Sequence, residues 1–126
     1  MFIPKPLIAF NVYLDGTDED AARAIARAVR TSGGGLPALR AIGFLVPERG
    51  SVTVSMNLVD HEVTGIVDAF DAVATEAGSR GLAITDSEIV GLVPEAAITE
   101  GDIARVRLRG FDADRQVLER LIEGAG

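Results

Sequence analysis

The chain of 126 residues contains no cysteine, and this absence excludes several kinds of chemistry at once. Without cysteine there is no disulfide framework, no thiolate nucleophile and no thiolate metal site. Because the chain contains a single histidine, His61, it cannot form a histidine-rich metal centre. We therefore predict no metal cofactor. The lack of disulfides is typical of a cytoplasmic protein, and we predict that location.

Aromatic residues are also scarce, at 5% of the chain with no tryptophan, although 48% of the residues are hydrophobic. The core must therefore be built from valine, isoleucine, leucine and alanine. A chain of this length buries about two-thirds of its surface around one core. We expect a single domain over residues 1–126.

Basic residues are few, with 12 lysines and arginines against 19 acidic residues and a net charge of −7. A phosphate backbone or an anionic membrane surface would be repelled by this balance. No apolar run reaches the roughly 20 residues that span a bilayer. We predict no nucleic acid and no membrane among the partners.

The order of predicted elements indicates the fold class. Alternating apolar residues predict strands at residues 7–14, 38–46, 51–58 and 82–93. Helical periodicity predicts two intervening helices, capped by Thr17 and Thr64, and a last helix capped by Asp112. Gly43 inside the second strand indicates a bulge or a close contact. We predict an α+β, ferredoxin-like βαββαβ fold, with an antiparallel sheet, helices on one face and a C-terminal helical extension.

The RNA-recognition module has the same order of elements. That module stacks bases on aromatic side chains of its central strands. Residues 51–58 carry no aromatic residue, and the chain is acidic. RNA binding is therefore disfavoured.

The strands place apolar residues on one face and polar residues on the other. The helices should cover the face that carries Ile8, Val12, Val54 and Met56. The opposite face should carry Asn11, Tyr13, Thr53, Ser55 and Asn57. Two interpretations of that second face remain: it is solvated or covered by a partner, or it is the wall of a ligand site.

Three other features of the sequence are candidate sites. Glu88 lies inside an apolar strand, where it either pairs with an arginine such as Arg40, marks an edge or bend, or touches a ligand. His61 lies in a strand-to-helix loop and is interpreted as an exposed loop residue. The glycines of Ser32-Gly-Gly-Gly35 follow a helix, whereas phosphate-binding loops precede one, so we interpret them as a helix end.

Several segments together resemble the C-terminal subdomain of the glutamate formiminotransferase family. They are Ile8-Ala-Phe-Asn-Val-Tyr-Leu14, residues 24–30 leading into Ser32-Gly-Gly, Val54-Ser-Met-Asn-Leu-Val59, Thr64 and Phe70, Ser87-Glu-Ile-Val-Gly-Leu-Val-Pro94 and Gly110-Phe111. The resemblance covers nearly the whole chain, and it lies in the order and spacing of these segments rather than in one motif.

The resemblance implies a folate-dependent transferase of histidine degradation. Such enzymes are built from two ferredoxin-like halves whose sheets face each other across a folate-binding tunnel. They transfer the formimino group from N-formiminoglutamate to tetrahydrofolate, which acts as a co-substrate. The second face would then be a tunnel wall that contacts folate or the glutamyl substrate. The candidate binding residues are Asn11, Tyr13, Ser55, Asn57 and Glu88.

The resemblance also implies that the family's catalytic histidine lies in a preceding N-terminal subdomain, which this sequence does not include. We assign no catalytic residue, do not give His61 that role, and expect the isolated chain to be inactive. In one interpretation the chain is half of a formiminotransferase. The alternative is a non-catalytic ligand-binding or dimerisation module. The expected partner is the N-terminal subdomain or a second copy of the chain, and we predict a dimer.

Overall fold

A four-stranded antiparallel sheet with helices on one face forms the centre of the molecule, and the fold is the predicted α+β ferredoxin-like one. A computed structural model describes residues 6–125. The strands are β1 (Ile8–Leu14), β2 (Leu39–Val46), β3 (Ser51–Leu58) and β4 (Ile84–Val90), in the sheet order β2-β3-β1-β4. Helices α1 (Glu19–Val29) and α2 (Ile66–Ser79) provide the two crossovers.

The core lies between the helices and the apolar face of the sheet, as the alternation predicts. Ile8, Phe10, Val12 and Leu14 of β1 are fully buried there. Their neighbours include Val52, Val54, Met56 and Leu58 of β3, Ala22, Ile25, Ala26 and Val29 of α1, and Ile66, Ala69, Phe70 and Val73 of α2. The predicted face Ile8, Val12, Val54 and Met56 is confirmed.

Gly43 of β2 allows α1 to approach the sheet closely. A Cβ atom at this position would lie 2.3 Å from the backbone carbonyl carbon and oxygen of Ala22. The pairing of β2 with β3 runs without interruption from Leu39 to Val46, so Gly43 marks no bulge. Of the two predicted roles, the close contact is the correct one.

Two predicted helix caps are wrong. Asp18, not Thr17, is the N-cap of α1, because its Oδ1 accepts a hydrogen bond from the amide of Ala21 at 3.0 Å. Thr64 is buried, and its hydroxyl donates to the carbonyl of Pro37 at 2.5 Å instead of capping α2.

The C-terminal part packs along the outer edge of β4. It contains α3 (Glu100–Arg105), α4 (Ala113–Gln116) and α5 (Leu118–Ala125). The backbone of Ser87 bonds to Arg107 and Arg109 at 2.9 Å each, so the β4 edge is covered. Asp112 caps α4 as predicted, but the predicted single last helix is divided at Val117. Among residues 6–125, no helix is long and apolar enough to cross a membrane.

Candidate functional site

The sheet surface opposite the helices, here named the open face, contains the sequence-predicted site residues. The strand register arranges it as three rows that run across β2, β3, β1 and β4. The rows are Arg40, Asn57, Ala9 and Val90; Ile42, Ser55, Asn11 and Glu88; and Phe44, Thr53, Tyr13 and Asp86. All five candidates, Asn11, Tyr13, Ser55, Asn57 and Glu88, therefore lie on one surface.

Glu88 is the acceptor of a hydrogen-bond network in this surface. Asn11 lies directly opposite Glu88 in the register and donates its Nδ2 hydrogen to Glu88 Oε1 at 3.1 Å. The hydroxyl of Tyr13 donates to the same oxygen. Two donors thus orient the carboxylate, whereas Oε2 accepts no hydrogen bond from any residue between 6 and 125.

The strand positions test two of the three roles that the sequence leaves open for Glu88, namely pairing with an arginine and marking an edge or bend. Arg40 lies in β2 and Glu88 in β4, at opposite edges of the sheet, so an ion pair between them is wrong. The pairing of β4 with β1 is regular at Glu88, and its irregularity lies beyond Asp86, so Glu88 marks no bend. Strand β4 is an outer strand of the sheet, so the prediction that Glu88 marks an edge is confirmed.

Tyr13 is a neutral hydrogen-bond donor over a wide pH range. Burial raises the pKa of its phenol, and the hydrogen bond to Glu88 and the negative charge of Glu88 raise it further, to about 12. The guanidinium of Arg49, 3.6 Å from the centre of the ring, acts in the opposite direction with a smaller effect.

Arg49 and Asp86 form an ion pair at the end of the open face near Tyr13. Arg49 lies in the β2–β3 turn, and its Nη1 and Nη2 donate to the two carboxylate oxygens of Asp86 at 3.1 and 2.5 Å. Burial acts to raise the pKa of Asp86, but the hydrogen bonds from Arg49 and Thr85 and the charges of Arg49 and Arg109 lower it overall. The pair fixes the turn to β4.

Sequence reasoning missed Arg49 and Asp86 as part of this surface. Asp86 was detectable, because it lies two residues before Glu88 in the same strand and therefore on the same face. Arg49 lies in a turn, where no periodic pattern indicates the direction of a side chain.

Thr53, which the sequence assigned to this face, contributes less to the surface than expected. Thr53 is buried, and its hydroxyl donates to the carbonyl of Val12 at 2.9 Å, so it is not free to meet a ligand. His61 lies in the loop between β3 and α2, as predicted, and outside the three rows, but it is partly buried rather than exposed. Within the described part of the chain, no group of three or more histidine or acidic side chains could hold a metal ion.

These features define an α+β domain of the ferredoxin-like class with a semi-polar open sheet face. The model of the formiminotransferase domain matches residues 9–110. The chain belongs to the formiminotransferase family, as the resemblance predicted.

Individual relatives support this membership. The chain is 36% identical over 119 residues to glutamate formimidoyltransferase of Streptococcus pyogenes and 38% identical over 119 residues to that of Thermoplasma acidophilum. Both matches cover 94% of this chain but only 40% and 39% of the relatives. It is also 43% identical over 122 residues to formimidoyltransferase-cyclodeaminase of Dictyostelium discoideum, which covers 91% of this chain and 22% of that protein. The chain spans about two-fifths of the length of the two transferases.

Proposed function

We propose that the chain forms one half of a glutamate formimidoyltransferase, with the open face as a wall of its ligand site. The reaction would move the formimino group from N-formiminoglutamate to tetrahydrofolate, a step of histidine degradation. Tetrahydrofolate would be the co-substrate, and no metal would take part. A cytoplasmic location is part of this proposal.

The arrangement of Asn11, Tyr13 and Glu88 is the observation that carries the proposal. Small-molecule sites are mostly apolar surfaces with a few polar groups held in fixed positions. The open face has this composition: it holds the oriented carboxylate of Glu88 together with exposed apolar side chains, Val90 of the same strand at 54% exposure and Ile42 at the opposite edge of the sheet at 60%. Because the chain belongs to the formiminotransferase family, the ligands of such a wall would be the substrates of formimino transfer.

A second wall would be needed to enclose a ligand. We propose that it comes from the family's N-terminal subdomain or from a second copy of this chain. The exposure of Ile42, Phe44 and Val90 favours coverage of the face by another protein surface. This observation also favours the alternative of a dimerisation module. Sedimentation of the chain at micromolar concentration should show a dimer, and a strictly monomeric profile would contradict pairing of two copies.

No residue of this chain is assigned a catalytic step. On the open face, Tyr13 stays protonated and Asp86 is bound to Arg49. His61 lies outside that face. We therefore expect the isolated chain to show no transferase activity. Turnover by the isolated chain that survives His61→Ala would contradict this assignment.

Calorimetric titration of the chain with 5-formyltetrahydrofolate tests the proposal. Asn57→Ala removes a polar group from the open face, and Thr75→Ala, on the outer surface of α2, is the matched control. We expect saturable binding that Asn57→Ala weakens and Thr75→Ala leaves unchanged. Equal affinity of all three proteins would place the ligand elsewhere, and no binding at millimolar ligand would count against a folate wall in this chain.

A further inference from the structure

We propose that two copies of the chain pair through the free edge of β2, so that their sheets join into one continuous antiparallel sheet. The outer edge of β4 is covered by the C-terminal part, whereas β2 ends the sheet on its other side. Two surface pockets of about 540 and 240 Å³ lie along this β2 edge, and both are lined by Arg30 and Ile42. Such a dimer leaves both open faces uncovered, so it differs from pairing of the open faces and goes beyond the proposed function.

Alternate residues of β2 direct their backbone groups to the free edge. In an antiparallel pair, every second residue exchanges hydrogen bonds with the neighbouring strand, and the residues between them direct their groups away from it. Leu39, Ala41 and Leu45 bond through their backbone to side chains outside the sheet, so the odd-numbered residues face the edge. Among residues 6–125, no side chain bonds to either backbone group of Gly43, to the amide of Ala41 or to the carbonyl of Leu45. These four groups are available to another strand.

The two ends of the available segment fix the register of the pairing. The hydroxyl of Thr31 accepts from the amide of Leu39 at 2.9 Å and lies 3.1 Å from the carbonyl oxygen of Leu39, so pairing stops before this residue. At the other end, Pro47 has no amide hydrogen. A two-fold axis at Gly43 places Leu39 opposite Pro47, where no hydrogen bond is needed. The hydrogen-bonded pairs are then Gly43 with Gly43, Ala41 with Leu45 and Leu45 with Ala41.

The same register brings the exposed apolar side chains of β2 together. Ile42 of each copy lies opposite Phe44 of the other copy, in a non-hydrogen-bonded pair, where side chains are closest in an antiparallel ladder. In the single chain, Ile42 is 60% exposed and Phe44 is 37% exposed. An exposed edge strand with apolar side chains favours pairing with another strand. The dimer therefore covers apolar surface that the single chain leaves in water.

Glu19 and Arg30 add charge complementarity, which favours a second copy as the partner. In the single chain, Glu19 Oε2 accepts from the amide of Leu45 at 2.7 Å, and Arg30 Nη1 donates to the carbonyl of Ala41 at 3.4 Å. In the dimer, this amide of one copy bonds to this carbonyl of the other copy. The released side chains, Glu19 from one copy and Arg30 from the other, then lie at the same place and form an ion pair.

The charges along α1 agree with this arrangement. Arg30 forms no ion pair with any residue between 6 and 125, and its Nε is buried without a hydrogen bond. Helix α1 has Glu19 and Asp20 in its first turn and Arg27 in its last turn. The two-fold axis makes the α1 helices antiparallel, so the acidic end of each helix lies beside the basic end of the other.

Sedimentation equilibrium of the 126-residue chain and two exposed-site variants tests where the copies meet. Ile42→Lys disrupts the apolar pairs at the β2 edge. Val90→Lys is the matched control, because Val90 is 54% exposed on the open face but lies in β4. We expect Ile42→Lys to weaken the dimer about tenfold or more and Val90→Lys to leave the dissociation constant unchanged. The reverse pattern would assign the dimer to the open face and overturn the edge pairing.

Charge reversal tests the register. Glu19→Arg and Arg30→Glu each place like charges together at both ends of a homodimer, so each variant alone should dimerise about tenfold more weakly. A mixture of the two variants restores opposite charges at both ends, and heterodimers should form with nearly the original affinity. The two residues lie about three helical turns apart in one chain, so this rescue requires contact between copies.

Two results of the charge reversal would overturn the proposal, provided that circular dichroism shows both variants folded. One is failure of the mixture to restore dimerisation. The other is stronger dimerisation of the single variants, which would mean that Glu19 and Arg30 protect the edge from pairing.

Hydrogen exchange of the Gly43 amide gives a local measure of the same pairing. This amide lacks a side-chain partner in the single chain and bonds to the other copy's Gly43 carbonyl in the dimer. Raising the chain concentration from micromolar to millimolar should slow exchange at Gly43 and Ala41 about tenfold or more. A strictly monomeric chain, or a dimer whose Gly43 amide exchanges as fast as in the monomer, would overturn the proposal.

Discussion

The ionisation of Tyr13 provides a direct measure of the network on the open face. Its pKa is raised from 10.0 to about 12, and Glu88 supplies two of the three causes that raise it. Glu88→Gln keeps an acceptor oxygen for the phenol but removes the negative charge. We expect the pKa of Tyr13 to fall toward 10 without reaching it, because burial, the largest cause, remains.

The composition of the chain makes this titration simple to measure. Tyr13 is the only tyrosine, and there is no tryptophan, so the ultraviolet absorbance of phenolate reports one residue. At about pH 11, a tyrosine of pKa 12 is about one-tenth ionised, whereas one of pKa 10 is about nine-tenths ionised. Glu76→Gln on α2 is a matched control that should leave the titration unchanged.

The same shift makes stability depend on pH in a defined direction. The folded state holds the phenol proton of Tyr13 more tightly than the unfolded state does. The contribution of Tyr13 to the free energy of unfolding is therefore complete below about pH 10 and is lost as the pH rises toward 12. Circular dichroism at each pH shows whether the chain is still folded. A pKa of Tyr13 near 10 in the folded chain, or the same Tyr13 pKa in the unsubstituted chain and in Glu88→Gln, would refute the hydrogen-bond network of Asn11, Tyr13 and Glu88.

Three further predictions concern stability and assembly. Gly43→Ala should destabilise the fold by about 1–3 kcal/mol in urea unfolding, because the new methyl group meets the backbone of Ala22, whereas Gly78→Ala, with no atom nearby, should cost nothing. Arg49→Gln should cost about 1 kcal/mol. The same substitution should make stability depend less on pH below pH 4. In the unsubstituted chain the pKa of Asp86 is lowered in the folded state, so the stabilisation from its carboxylate disappears as the pH falls. Salt should weaken the predicted dimer little, because the exposed residues of the open face are the apolar Ile42, Phe44 and Val90 with one charged side chain, Arg40.

The faces of the sheet were predictable because alternation fixes them. In β1 and β3, every second residue is apolar and buried, and on the other face only Tyr13 and Thr53 of these two strands are buried. Once β1 and β3 pair, Asn11, Ser55 and Asn57 must share the other face. This local pattern was sufficient to gather the candidate residues on one surface.

Other features depend on contacts between distant segments. Arg49 and Asp86 lie 37 residues apart, and nothing in either local sequence indicates that they meet. The last helix divides at Val117 because the backbone of Val93 bonds to Gln116 and Leu118 on either side of it.

One missed element did carry a local signal. Helix α3 begins with a capping box, in which Thr99 Oγ1 accepts from the amide of Asp102 and the carboxylate of Asp102 accepts from the amide of Thr99. Threonine followed three residues later by a short acid, before a helical stretch, is readable from the sequence.

A map of amide shifts on addition of 5-formyltetrahydrofolate tests the central claim most directly, because it locates the ligand without assuming any residue. We predict that the largest changes fall in the open-face residues of β1, β3 and β4, around Asn11, Ser55 and Glu88. Saturable changes confined to the outer surfaces of α1 and α2, or no change at millimolar ligand, would contradict the account.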